Sequence, residues 1–469
     1  MNETSTTRPT DDAIALAGTV RAGESGPGAP ARRRFIRDAG AAGAALGIGP
    51  LILPRRARAA GKTLKILQWA HFVPAYDKWF DDEYTKQWGE KNDTEVIVDH
   101  VGIPAINSRA AAEVSARKGH DLFMFLWPPP TYETQVIDHR EIYQECERKH
   151  GKPIDLAVKS TYNPKTGKYF GFSDSFVPDP VNYRIDLWSE AGMAQGPRSW
   201  EDVLRVGRKI KETKNVPVGI GLSAELDTAM AMRTLLYAFG GSVQDAEGRV
   251  VLDSKNTLEA VKFATGLYKA TMTPEVMAWD ASSNNRALLA GKISLCLNAI
   301  STTRAAENDK LPIADQIGLT KALMGSTRAI GLEHVMDCYV IWKFAENVEG
   351  AKKFLVDYID NFHRGFVASQ YYNFPCFAST VPDLDKLLAD DPHTPAGKYK
   401  VLADVTKWAT NVGYPGYANA AVDEIFGTWV LNTMFAKAAS GAMSPQAAIR
   451  EADRKCRAIF AKWQTKKLV

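Results

Sequence analysis

Short apolar runs alternate with amphipathic stretches along most of this chain, and the alternation predicts strands and helices. Apolar runs predict strands at 64–69, 95–99 and 121–127, the last ending at three consecutive prolines. Aromatic residues at helical spacing predict a helix over 75–90, and a second helix covers 106–117. This β-α-β-α-β order predicts a parallel, doubly wound sheet, in which ligands bind beyond the carboxyl ends of the strands.

The alternation continues to the end of the chain and predicts a second α/β unit from about residue 175. A Ser199 N-cap with Asp202 three residues later marks one helix start. The predicted strands are 176–183, 216–221, 293–298 and 335–342, with a hairpin over 244–252, and the predicted helices are 199–212, 228–239, 257–270, 284–290, 348–360 and 444–463.

The first sixty residues have the pattern of an export signal. Three consecutive arginines at 32–34 precede a mildly apolar run over 39–53, and 57–59 is a small-x-small cleavage site. The order resembles a twin-arginine signal peptide, so we expect residues 1–59 to be removed and a soluble mature protein to begin near Ala60 in the periplasm. The apolar run is shorter than the roughly 20 residues that span a bilayer, which argues against an anchor.

Charge excludes one class of function. Nine of the basic residues and five of the acidic ones fall within 1–59, and the whole chain carries a net charge of +4, so the remainder is neutral. A neutral body without clustered Lys and Arg does not favour binding to nucleic acid.

The cysteine spacing and the absence of catalytic motifs argue against further classes of function. The five cysteines are scattered without a Cys-x-x-Cys pair, which favours buried thiols over disulfides or a metal site. The chain has no H-E-x-x-H, G-x-S-x-G or P-loop motif, so we expect no catalytic residue, no metal and no cofactor. An exported enzyme on another α/β fold stays open as an alternative.

Four segments carry a resemblance to a known family. Residues 181–193 read VNYRIDLWSEAGM, 197–203 read PRSWEDV, 289–294 read LAGKIS and 440–449 read SGAMSPQAAI. Their order and spacing are similar to those of the extracellular solute-binding proteins of family 1, which includes maltose-binding protein and serves sugar ABC transporters. The usual Tyr-Asn order is inverted at Asn182-Tyr183.

The resemblance implies a fold, a function and partners. The family fold is a type II periplasmic binding protein with two α/β lobes, each a doubly wound, mostly parallel sheet, and a ligand cleft between them. We expect lobe one over 60–174 and 328–376 and lobe two over 175–327 and 377–469, with crossings near Ser173, Arg328 and Cys376. The implied protein is a monomer that binds a sugar or polyol by cleft closure and delivers it to an ABC transporter membrane permease.

Aromatic residues are the first candidates for ligand contact, because sugar rings pack their C–H faces on aromatic faces. Trp69 and Trp127 end predicted strands and match family positions that face ligand. Tyr414 and Tyr417 match a late aromatic wall, and Trp279 lies in a loop before Gly291. Several Trp and Tyr could instead form a cation-π cage, so a receptor for a quaternary ammonium compound stays open.

Polar candidates lie near the same predicted strand ends. They are His71, Glu225, Asn298 and Glu333. A lone histidine such as His71 is more often structural than a ligand contact, and Glu225 also suits a helix start, where a negative charge complements the helix dipole.

Two motifs in the sequence point elsewhere. Residues 219–224 fit G-x-G-x-x-A, but they lie inside the second predicted unit without a clear acidic strand end after them, so we interpret them as a tight cleft loop. Tyr371-Tyr372 is similar to the paired tyrosines of ferric-ion receptors, yet matching His and Glu ligands are not evident.

Overall fold

The computed structural model describes residues 62–392 and 394–469. The predicted signal peptide and its cleavage site lie outside these described residues. The described strands are β1 (Lys62–Trp69), β2 (Thr94–Val101), β3 (Leu122–Phe125), β4 (Tyr162–Asn163), β5 (Lys168–Tyr169), β6 (Phe172–Pro178), β7 (Val181–Arg184), β8 (Leu295–Leu297), β9 (Ile317–Thr320), β10 (Gly331–Ile341), β11 (Phe374–Pro375) and β12 (Ala409–Thr410).

A seven-stranded sheet forms around β1 and β10. Its order is β11-β6-β10-β3-β1-β2, with β12 also paired to β10. The β1 strand pairs in parallel with both β2 and β3, as the sequence predicts, whereas β10 runs antiparallel to β3 and β6. All eleven residues of β10 are buried, so this strand lies at the centre of the sheet and of the core.

A second sheet of three strands has the order β8-β7-β9. Both of its pairings are antiparallel. The α/β fold class is therefore confirmed, but the expectation of mostly parallel sheets is wrong for this sheet, and the large sheet is mixed. The reason is connectivity: β7 follows β6 after only Asp179 and Pro180, and later strands return beside it in the opposite direction.

The described helices cover both sheets. They are α1 (Pro74–Trp79), α2 (Thr85–Lys91), α3 (Ile106–Ala116), α4 (Arg140–His150), α5 (Asp155–Thr161), α6 (Ile185–Glu190), α7 (Trp200–Lys214), α8 (Leu226–Ala238), α9 (Lys255–Thr271), α10 (Ser283–Leu289), α11 (Ser301–Asn308), α12 (Val348–Asp360), α13 (Phe362–Ala368), α14 (Leu384–Ala389), α15 (Ala420–Gly427), α16 (Val430–Ala439) and α17 (Pro445–Thr465).

Local sequence explains where several helices begin. The Ser199 side chain accepts a hydrogen bond of 3.1 Å from the Asp202 amide, so it caps α7 as predicted. Asn347 caps α12 and Ser444 caps α17 in the same way. Between α1 and α2 the chain stays helical through a π-type turn at Phe80–Tyr84, which agrees with the single helix predicted over 75–90.

Two predicted elements are not regular strands. Residues 216–221 run beside β8, but Pro217 has no N–H and the Val218 N–H donates to the Thr271 carbonyl, so the ladder is interrupted. The predicted hairpin over 244–252 is reduced to a single bridge between Gln244 and Val250.

The core has two further features that bear on function. All five cysteines are buried and none forms a disulfide. Across residues 62–392 and 394–469, no helix combines the length and apolar character that crossing a membrane requires.

Candidate functional site

The chain crosses between the two sheets at Asp179-Pro180, and charged groups from this link, from β10 and from α8 meet there. The His334 ring in β10 lies 3.2 Å from Asp179 Oδ1 through Nδ1 and 3.5 Å from Asp227 Oδ1 through Nε2. All three side chains are buried. The two carboxylates hold the pKa of His334 at about 9 despite its burial, so the imidazole is positively charged at neutral pH.

The start of α8 places Glu225 near His334 in addition to Asp227. Glu225 caps the helix and accepts hydrogen bonds from the Asp227 and Thr228 amides at 2.6 and 2.5 Å. Burial raises the pKa of Glu225 and of Asp227. Of the two roles open to Glu225 in the sequence, the structure shows the helix-start role, with each carboxyl oxygen engaged by one amide.

Asparagines hold Asp227 from the other side. Asn284 donates to Asp227 Oδ2 at 2.6 Å, and Asn298 donates to Asn284 Oδ1 at 3.1 Å. Asn298 also lies within 3.4 Å of the Thr302 hydroxyl. The structure therefore brings the predicted residues Glu225 and Asn298 close to Asp227 through a continuous hydrogen-bond chain.

A buried carboxyl pair lies on the large sheet. Ser175 Oγ is 2.8 Å from Asp174 Oδ2 and 3.0 Å from Asp337 Oδ2. Burial raises the pKa of Asp337 well above its usual range and that of Asp174 to about 7. We call the six buried ionisable residues Asp174, Asp179, Glu225, Asp227, His334 and Asp337 the central charged cluster.

Aromatic rings pack beside this cluster. Trp69, at the end of β1, lies 4.7 Å from the His71 ring and 6.4 Å from the Tyr372 ring, and a hydrogen bond from Trp69 lowers the pKa of Asp337. His71 Nε2 lies 3.0 Å from Asn373 Oδ1, and burial lowers the pKa of His71 to about 4, so the ring is neutral. The predicted pair Trp69 and His71 is thus brought together.

Trp127 makes a separate connection. Its indole N–H donates to Asp423 Oδ1 at 3.1 Å, and its ring lies 5.2 Å from Phe426 in α15. A cavity of about 200 Å³ opens beside Trp127 and Asp423. Larger cavities of about 430 and 720 Å³ are lined, among the described residues, by none of the nine predicted site residues.

The remaining predicted residues contact other groups. The Tyr414 ring lies 5.2 Å from Tyr237 and its hydroxyl accepts from Arg328, whereas Tyr417 packs 6.1 Å from Tyr162. The Trp279 carbonyl accepts from Ser223 at 2.6 Å. Glu333 is fully buried, accepts from the Val412 amide at 3.2 Å, and burial raises its pKa well above the usual range.

Sequence reasoning did not select most of the charged cluster. Asp174 lies between two serines, Asp179 between two prolines and Asp227 beside a predicted helix start, and such isolated acids follow no recurring spacing. One signal was present: strand 335–342 contains Asp337 where a buried strand is otherwise apolar, and a buried charge implies a partner or a function.

A family model agrees with the resemblance in the sequence. The model for bacterial extracellular solute-binding proteins matches residues 69–359. A protein of Brucella abortus named as a binding protein is 22% identical over 191 residues, and an ABC transporter-binding protein of Deinococcus radiodurans is 24% identical over 155 residues. These matches cover 40% and 32% of this chain, and the chain spans only 46% and 36% of the two relatives' lengths.

Solved structures share the fold. A solute-binding protein of Thermotoga lettingae bound to α-D-tagatose superposes with a TM-score of 0.71 at 18% identity, covering 85% of this chain and 100% of that one. A maltose-bound protein of T. maritima gives 0.70 at 18% identity, with 84% and 99% covered. A ribitol-bound protein of Agrobacterium radiobacter gives 0.68 at 16% identity, with 85% and 99% covered. These neighbours are two-lobed binding proteins of the type that the sequence predicts.

Proposed function

Since this chain belongs to the bacterial extracellular solute-binding protein family, we propose that it is a periplasmic receptor that captures a small polar nutrient for an ABC importer. The nutrient is a sugar or a polyol, and the protein delivers it to the membrane permease. The match over residues 69–359 carries this proposal. Structures of the same fold with tagatose, maltose and ribitol bound support the ligand class.

The site contains the two kinds of group that a hydroxylated ligand needs. The Trp127 indole N–H donates to Asp423, and the Trp69 ring packs against the rings of His71 and Phe72, so both rings are held in place by neighbours. We propose that these ring faces pack on the C–H faces of the ligand while nearby polar groups take its hydroxyls. His71, Glu225, Trp279, Asn298, Glu333, Tyr414 and Tyr417 remain proposed contacts or supports.

Two lobes that close on the ligand are part of the proposal. We assign lobe one to 60–174 and 328–376 and lobe two to 175–327 and 377–469, acting in one monomer. The short link at Asp179-Pro180 supports a division into two units, because it joins the large sheet to the small one a few residues after the proposed boundary at 174/175. A ligand drives closure only if it binds the closed form more tightly than the open form.

A thermal-shift screen over sugars, polyols, amino acids and betaines tests the function. A true ligand present at about 100 times its dissociation constant should stabilise the protein by roughly 2.7 kcal/mol. The same compound should reduce the radius of gyration in X-ray scattering, since closure makes the particle more compact. The ligand should be recovered unchanged by mass spectrometry, because an exported enzyme would return a product. A panel without any stabilising compound would contradict the proposal.

Export by the twin-arginine route is a separate proposal, resting on the sequence of residues 1–59. Replacing Arg32 and Arg33 together with lysine should leave the precursor in the cytoplasm, because that route reads the arginine pair. Immunoblots of cell fractions measure the result, and Arg55→Lys with Arg56→Lys serves as the matched control outside the motif. Periplasmic mature protein from the first variant would rule out this route.

A further inference from the structure

Asp423, near the start of α15, accepts hydrogen bonds from the segment that follows β3. Its Oδ1 accepts from the Trp127 indole N–H at 3.1 Å, and its Oδ2 accepts from the Thr131 amide at 3.2 Å and from the Thr131 hydroxyl at 2.5 Å. These three contacts use the carboxylate as an acceptor. Burial raises the pKa of Asp423 to about 6, so the group is still ionised at neutral pH and suits that role.

The donors are held on the large sheet. Trp127 and Thr131 follow the last residue of β3 by two and six positions. The Tyr132 ring, next to Thr131, lies 5.6 Å from the ring of Phe125 in β3 and 5.6 Å from the ring of Trp342. These aromatic contacts fix the segment 127–131 to the part of the chain that we assign to lobe one.

The acceptor is held by helices of the other proposed lobe. Glu424, the next residue in α15, accepts from the indole N–H of Trp463 in α17 at 2.6 Å. The Phe426 ring lies 4.7 Å from the guanidinium of Arg233 in α8. Because α8 and α17 both belong to the proposed lobe two, the hydrogen bonds to Asp423 cross from one proposed lobe to the other.

The same contact determines where the Trp127 ring lies. Asp423 holds its indole N–H, and the ring lies 5.2 Å from the Phe426 ring, so α15 contacts Trp127 at two points. Trp127 and Asp423 also line the cavity of about 200 Å³ described above. An aromatic ring that is already held in position loses less freedom when a ligand packs against it.

Resting on the proposed function and its two lobes, we propose that Asp423 is a positioning residue that fastens the closed lobes together and sets the place of the Trp127 ring. We call the contacts of Asp423 with Trp127 and Thr131 the lobe latch. When the lobes separate, water replaces these hydrogen bonds. The lobe latch therefore stabilises the closed form relative to the open form, and the apparent affinity for a ligand rises with the closed fraction.

Asp423→Asn tests the lobe latch without changing the size of the side chain. Asparagine has one acceptor oxygen and one NH₂ group, so in either orientation an N–H faces the N–H of Trp127 or of Thr131. In the ligand-free protein at pH 7.5, we expect the Trp127 indole N–H to exchange with solvent at least about tenfold faster than in the native chain, because a hydrogen bond to a charged group is lost. NMR of the eleven ¹⁵N-labelled tryptophans measures the rate, with Trp127→Phe to assign the signal.

Two further variants distinguish a latch between lobes from a local hydrogen bond. Thr131→Val leaves the bond between Trp127 and Asp423 in place, yet it should speed exchange of the Trp127 N–H by about threefold or more, because the lobe latch opens as a unit. Glu113→Gln is the matched control: its carboxylate is contacted by three nitrogens, of Arg109 and His120, at 3.0, 3.1 and 2.6 Å, all within the proposed lobe one.

The control should leave the Trp127 exchange rate unchanged within twofold. An unchanged rate in Asp423→Asn or in Thr131→Val would overturn the inference, and so would an equal increase in the control. X-ray scattering of the ligand-free protein gives a second measurement: the radius of gyration should be larger in Asp423→Asn than in the native chain, since the open fraction rises. An equal or smaller radius would count against the lobe latch.

Calorimetry measures the consequence for binding. Among D-tagatose, maltose and ribitol, the ligands of the structural neighbours, each compound that binds the native chain should bind Asp423→Asn about tenfold more weakly. Equal affinity would contradict the positioning role. The exchange and scattering measurements use no ligand, so they decide the inference separately from the ligand screen that tests the proposed function.

Discussion

Replacing Arg304 with methionine should lower the free energy of unfolding by about 3–5 kcal/mol, the range found when one partner of a buried ion pair is removed. The Arg304 side chain is 1% exposed and pairs with Asp391 and, at 3.0 Å, with Glu307. Its guanidinium also lies 3.9 Å from the Tyr399 ring centre. Methionine fills a similar volume but leaves Asp391 without this positive charge. Urea denaturation measures the change.

Arg249→Met is the matched control. This arginine also contacts two carboxylates, Asp245 and Glu247, but its side chain is 73% exposed. Water screens such pairs, so the loss should stay below about 1 kcal/mol. Comparable losses in the two variants would show that the contribution of Arg304 to the free energy of unfolding does not depend on its burial.

The free energy of unfolding of the empty protein should fall by about 2–4 kcal/mol between pH 6.5 and pH 8, at about 1.4 kcal/mol per pH unit for each extra proton that the native state binds. Native pKa values of about 7 for Asp174 and about 8 for Asp227 exceed their ordinary value. Their contributions are fully present below the unfolded value of 3.8 and are lost as the pH rises through the native values. His334, at about 9, acts in the same direction above 6.5.

The pKa values of two buried histidines determine the lower pH limit of this measurement. His71 and His139 have pKa values lowered to about 4, so their contributions are complete above pH 6.5 and do not add to the slope there. Asp227→Asn removes one titrating carboxyl and should flatten the slope. Asp174 and His334 keep their raised pKa values in this variant, so part of the slope should remain. A stability that rises with pH across this window would contradict the raised pKa values.

The sequence predicted helices and strands correctly where caps and apolar spacing alone determine them. The helix predicted over 348–360 has the bounds of α12, because Asn347 caps it and its apolar spacing is regular. The strand predicted over 95–99 lies within β2. Residues 216–221 failed as a strand because Pro217 and the diversion of the Val218 N–H to Thr271 depend on tertiary neighbours.

The sequence predicted less of the candidate site than of the fold. Trp69 and Trp127 could be selected because aromatic residues at strand ends are a local signal. The meeting of His334 with Asp179 and Asp227 joins positions 155 and 107 residues apart along the chain, and no local pattern encodes such a meeting. Whether a carboxyl such as Asp337 finds a partner is likewise decided only by packing.

The five buried cysteines have a consequence for where the chain can mature. Burial raises the pKa of Cys296, Cys338 and Cys376 well above its ordinary value, and that of Cys146 and Cys456 to about 12. Reactivity belongs to the thiolate, so these groups stay in the inert thiol form. The native state thus needs no oxidant and gains nothing from one. A protein built this way can complete its folding in a reducing compartment and keep the same structure in an oxidising one.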